Sequence, residues 1–226
     1  TFITDASYNT QFWLDKRWAY CNYEKVFHMH GEKDSGYYDT WQADDAEISI
    51  NKNSTYKGDF GLHIASSNNE FSVSPLLMIE ETNEKGRTKT VNYFDVDTNY
   101  SNYTTISVKV RNNGDKDISL EELRLYVNKF IWLSPELADS DSCSYVIKND
   151  GEWQILTFNL NKLRIFGKDL GFTLKSKRLE EVVNLSFEFS SNGDADLSFD
   201  DVMFGVSEIE SEDNTTIIDK IKAFFN

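Results

Sequence analysis

VNLSFEFSSNGDADLSFDDVMFG, residues Val183 to Gly205, holds two apolar runs separated by a turn. Leu185, Phe187 and Phe189 alternate with Ser186, Glu188 and Ser190. A period of two with one wet face marks an antiparallel strand lying on a core. The SNGD stretch, Ser191 to Asp194, supplies turn chemistry. Leu197, Phe199, Val202 and Phe204 then offer a second set of core side chains, yet Asp200 and Asp201 stand side by side among them. A carboxylate buried there is costly unless it is paired, hydrogen-bonded or bound to a metal.

Working outward, the same alternation recurs. AEISI (46–50), FGLHIAS (60–66), TTISVKVRN (104–112), LEELRLYV (120–127) and WQILTFNL (153–160) read as strands. NNGD (112–115) and NDGE (149–152) add turns between them. Helical signal is sparse: KRLEEVV gives at most one turn, and TTIIDKIKAFF near the C-terminus has one apolar face after an acidic SEIESEDN linker. No internal repeat is present. Many short strands at this spacing predict an all-β chain, an antiparallel β-sandwich of the jelly-roll kind with a short C-terminal helix. The expected organisation is an N-terminal extension over 1–20, the sandwich over 21–206 and the acidic linker with its tail over 207–226.

The totals bound the function. The 226 residues carry 38 acidic against 23 basic side chains, a formal net charge of −15. Such a chain repels phosphate backbones and anionic lipid, which argues against nucleic-acid partners and membrane surfaces. No apolar run is long enough for membrane insertion. A neutral ligand, or a cation held by carboxylates, fits the charge. Cys21 and Cys143 form no CxxC pair and are either reduced thiols or one disulfide. There is no Gly-x-Ser-x-Gly elbow, P-loop or Gly-x-Gly-x-x-Gly.

Three segments, in order, carry a resemblance: NSTYKGDFGLHI (53–64), DGEWQILTFNLNKL (150–163) and DLSFDDVMFG (196–205), with NYEKVF (22–27) upstream. Together the chain resembles the cleft-binding carbohydrate-binding modules with a calcium-containing β-jelly-roll fold that are attached to bacterial glycanases. The resemblance implies a structural Ca²⁺ where the first and last strands meet a polar turn. Ca²⁺ accepts carboxylates mixed with carbonyl oxygens, and the implied ligands are Glu24, one of Asp200 and Asp201, and the turn around Asn51, Asn53 and Ser54. The alternative for the doublet is the start of a β-bulge whose carboxylates are exposed or satisfied by backbone amides.

The resemblance further implies a non-catalytic module that binds a polysaccharide, a glucan in preference to other glycans. Such a module would belong to a larger multidomain protein, secreted or at the cell surface. Sugar rings present flat C–H faces that stack on Trp and Tyr while polar side chains take the hydroxyls. The candidate ligand-binding residues are Trp132 in KFIWLSPEL, read as a loop; Trp41 and Tyr38 in GYYDTWQADD; and Tyr126 with Arg124. Leu123, Leu125 and Val127 take the core face of their strand and leave Arg124 and Tyr126 on the other. Trp153, at the head of its strand, is expected in the core. Ordinary packing is the alternative for each aromatic, and a solvated charge for Arg124. Two rival functions remain: a surface adhesin or scaffold domain of the same fold, and a small glycan-cleaving enzyme.

Overall fold

The computed structural model describes residues 41–56, 61–75, 78–82, 85–92 and 99–205. The expected extension over 1–20, the tail over 207–226, and the candidates Glu24 and Tyr38 lie outside the described residues, as does Cys21.

The described chain is antiparallel β throughout. Its strands are β1 (Trp41–Asp44), β2 (Glu47–Asn51), β3 (Gly61–Ser66), β4 (Glu70–Pro75), β5 (Met78–Thr82), β6 (Thr88–Asn92) and β7 (Thr105–Asn112). They continue with β8 (Ile118–Tyr126), β9 (Trp132–Leu137), β10 (Tyr145–Ile147), β11 (Gln154–Ile165), β12 (Asn184–Ser191) and β13 (Ala195–Gly205). Ten follow one path, β1-β4-β12-β8-β9-β11-β7-β13-β3-β2; β10 pairs with β8 off it, and β5–β6 form a separate hairpin.

That path folds over on itself. β11 pairs with β7 through residues 154–159 and with β9 at residues 158–159 and 163–165; the ladder to β7 ends where the register against β9 shifts, between Asn159 and Leu163, and the strand passes from one layer to the other. Packing of the two layers is visible in the rings. Phe199 on β13 meets Phe187 on β12 edge-on at 4.9 Å and Trp41 on β1 at 5.8 Å. These strands are not neighbours along the path, so their rings can meet only across a sandwich core. The SNGD turn is therefore an arch between layers: β12 pairs with β4 and β8, while β13 pairs with β3 and β7.

Alternation explains which faces are buried. Ile106, Val108 and Val110 on β7 are each 1% exposed, as the period of two requires. β8 departs from it. Ile118 and Leu120 point inward, yet so do Leu123 and Leu125. Between them the register against β12 slips, with Glu188 opposite Glu122 and Phe189 opposite Leu120. Glu121 is the extra residue of a bulge. Without that bulge an unbroken alternation would drive Glu122, Arg124 and Tyr126 into the core.

Pro135 makes the segment around Trp132 look like a loop in sequence, yet it forms β9. The proline is tolerated because β8 pairs with β9 only at Leu125 and Tyr126, so no ladder bond from Pro135 to β8 is lost.

Candidate functional site

One face of the first layer is polar and open. An open groove of about 310 Å³ runs across β1, β4, β12 and β8. Its floor is made of small side chains, Ser72, Ser74 and Ser186, themselves 8%, 6% and 4% exposed. Gln42, Asn184, Arg124, Tyr126 and Glu188 rise around them, with Asp44, Asp45 and Glu70 at the rim. Residues at every second position of four strands meet here because each of those strands turns its apolar residues to the core. A row of serines between longer polar residues leaves a trough.

Glu122 organises one wall. Its carboxylate accepts from Arg124 Nε at 2.6 Å, from Ser134 Oγ at 2.5 Å and from Trp132 Nε1 at 3.3 Å. Gly167 closes over it, and a Cβ at that position would come within 2.6 Å of Glu122 Oε2. Arg124 also reaches Glu188 Oε1 at 3.4 Å, and its guanidinium lies 4.8 Å above the Trp132 ring. Burial alone would lower the Arg124 pKa, but the hydrogen bond to Glu122 and the charge of Glu188 outweigh it and raise the value. For Glu188 burial prevails: its carboxyl is pushed above its ordinary value despite the Ser186 hydrogen bond and the Arg124 charge.

Arg124 and Tyr126 line the groove, on the outer face where their alternation puts them. Trp132 is the first residue of β9, not part of a loop, and it is half-buried. Arg124 covers its ring, Phe166 abuts it at 4.7 Å and Tyr126 at 5.7 Å, so it backs the groove wall instead of lining it. Trp41 is a correction: at 2% exposure its ring belongs to the core against Phe199, with no face open to a sugar. Trp153 corrects the other way. It is only half-buried, set between Tyr56 and the Arg111 guanidinium, which stacks on it at 4.9 Å.

Glu122 and Glu188 were not among the residues singled out in the sequence. The signal for Glu122 was the Glu-Glu doublet that interrupts the alternation of ISLEELRLY. No second mark distinguishes Glu188 from any other outward residue of its strand.

No protein-family model matches this chain, and no curated protein does. Among solved structures, it is similar to the family 11 carbohydrate-binding module of the cellulosomal cellulase Lic26A-Cel5E of Clostridium thermocellum. That match has 12% identity, covers 74% of this chain and 88% of the module, and gives a TM-score of 0.45. A family 11 module from Clostridium thermocellum in complex with a β-1,3-1,4-mixed-linked tetrasaccharide matches at 12% identity, 74% and 89% coverage and 0.46. The CBM22-1 xylan-binding domain of Paenibacillus barcinonensis Xyn10C matches at 12%, 74% and 87% coverage and 0.39. At these values none of the three lends its ligand to this chain.

The Asp200–Asp201 doublet sits on the second layer. The register of β13 against β7 slips between Asp200 and Met203, and Asp201 adopts φ 53°. Asp200 is fully buried and accepts the Tyr56 N–H at 2.6 Å and the Asp201 N–H at 2.6 Å. Asp201 turns to Lys109 instead, at 3.9 Å. Asn53, on the 3-10 turn Lys52–Ser54, is exposed, and its carbonyl accepts from Arg111 Nη2 at 2.6 Å. Among the described residues no three His, Cys, Asp or Glu side chains gather to hold a metal ion. Cys143 is a free, buried thiol whose pKa is pushed up to about 11, chiefly by burial.

Proposed function

We propose that this chain is a non-catalytic carbohydrate-binding module that holds a polysaccharide, a glucan in preference to other glycans, along the groove. The observation that carries the reading is the groove itself: a serine floor, the half-buried Tyr126 ring on one wall, and charged groups held rigidly beside it. Tyr126 offers a flat apolar face for a sugar ring. Glu188, Asn184, Gln42 and the remaining Arg124 donors are placed to bond hydroxyls, and bonds involving a charged partner are the stronger ones. The proposed setting is a larger multidomain protein, secreted or at the cell surface.

Affinity electrophoresis against mixed-linked β-glucan, xylan and starch tests this directly. Retardation is expected on a glucan, and Tyr126→Ala should weaken it by about thirtyfold, equivalent to about 2 kcal/mol. Its melting temperature should hold within about 2 °C, because the side chain lies outside the core. The same incubations should release no reducing ends. Sustained release that Glu188→Gln abolishes would replace this reading with a glycosidase. A surface adhesin or scaffold domain is the second reading. Favouring it are Phe130 at 76%, Ile131 at 40% and Phe166 at 37% exposure, apolar side chains near Trp132. Retardation on no polysaccharide would leave that reading standing.

A structural Ca²⁺ is part of the proposal. The donor set fits in part: Asp200 would supply a carboxylate where β13 meets the turn over residues 52–56, with Glu24 and turn carbonyls completing the shell. Asp201, facing Lys109, would not ligate. Excess chelator should lower the melting temperature by about 5–10 °C, the effect of losing an ion present at a hundred times its dissociation constant. An unchanged melting curve would remove the ion and leave Asp200 as a bulge carboxylate bonded to backbone amides.

A further inference from the structure

We propose that the groove selects its glycan by charge, admitting uncharged chains and turning away those that carry uronate or sulfate groups; this rests on the carbohydrate-binding reading above. An anionic sugar is recognised where a protein holds a cation unspent. Arg124 is the one cationic side chain among the described residues that line the groove. It is spent twice over: Nε donates to Glu122 at 2.6 Å, Nη1 faces Glu188 at 3.4 Å, and Trp132 occupies one side of its plane at 4.8 Å. One positive charge between two carboxylates leaves a net negative cluster.

The rim adds to it. Asp44, Asp45 and Glu70 are exposed and line the same opening. An approaching carboxylate or sulfate would meet these groups before reaching an arginine already neutralised. Glu188 is half-buried, so its charge is screened less than that of a rim carboxylate. Hydroxyls suffer none of this, because the carboxylates are acceptors for them. Like-charge juxtaposition across an interface is costly and suppresses wrong partners, while salt weakens it between exposed charges.

Matched polymers test the inference on the intact protein. Hydroxyethyl cellulose and carboxymethyl cellulose share a glucan backbone and differ in charge; arabinoxylan and glucuronoxylan form a second such pair. In low salt the neutral member should bind at least about tenfold more tightly. The ratio should shrink as salt rises to about 0.5 M, where screening shortens the reach of the rim charges. Glu188→Gln should narrow it too, by raising affinity for the anionic member, since Arg124 and Glu122 alone are neutral and the net negative charge of the cluster is gone. Equal binding within a pair, tighter binding of the anionic member, or a ratio insensitive to both salt and Glu188→Gln would overturn charge selection while leaving the glycan reading intact. Binding to neither pair nor to any neutral polysaccharide would overturn both.

Discussion

Phe199→Ala should cost about 3–5 kcal/mol and lower the melting temperature by about 10–15 °C. Phe199 is 1% exposed, and its ring meets Phe187, Phe189 and Trp41 across the core. Truncation would remove the contact of β13 with three side chains of the opposite layer at once. The surrounding strands are held in register by their ladders and can collapse only partly into the space. Thermal and chemical unfolding measure the loss. A change below about 1 kcal/mol would mean that the layers do not depend on this ring.

Gly61→Ala should be comparably damaging for the opposite reason. A Cβ at Gly61 would stand 1.8 Å from the Ser54 carbonyl oxygen and 2.4 Å from its carbon. Those atoms are backbone and cannot swing aside, so β3 and the turn over 52–54 would have to part. Overfilled positions usually cost about 1–3 kcal/mol, and a backbone clash belongs at or above the top of that range. The turn carries Tyr56 toward Asp200, so displacement should also disturb the doublet. A variant melting within about 2 °C of the parent would show that turn and strand can separate cheaply.

Much of the sandwich was legible from alternation. β2, β3, β7, β8, β11, β12 and β13 lie where apolar and polar residues take turns. β1 and β9 were not, because burial there is decided by what packs on top. Trp41 sits in a polar stretch, and residues far along the chain such as Phe199 make it core. Pro135 argued against a strand whose ladder to β8 stops short of the proline. Arg124 and Tyr126 were found because the LRLYV alternation is local. Their partner Glu122 was obscured by the bulge that places it, and the spent state of Arg124 depends on Glu188, a residue of another strand. Trp153 had the look of a core residue, but Tyr56 and Arg111 hold it at the surface.

The arch between β12 and β13 has a consequence for how the chain acquires its shape. β12 enters between β4 and β8, and β13 enters between β3 and β7. The last two strands of the described chain are thus interior in both layers, and their partners were made long before them. Pairings of such high sequence separation are slow, since loop-closure entropy is lost before contacts reward it. Until residues 184–205 leave the ribosome, β4 and β8 have nothing between them, nor have β3 and β7. Newly made chains must therefore hold these strand edges open until residues 184–205 have been made.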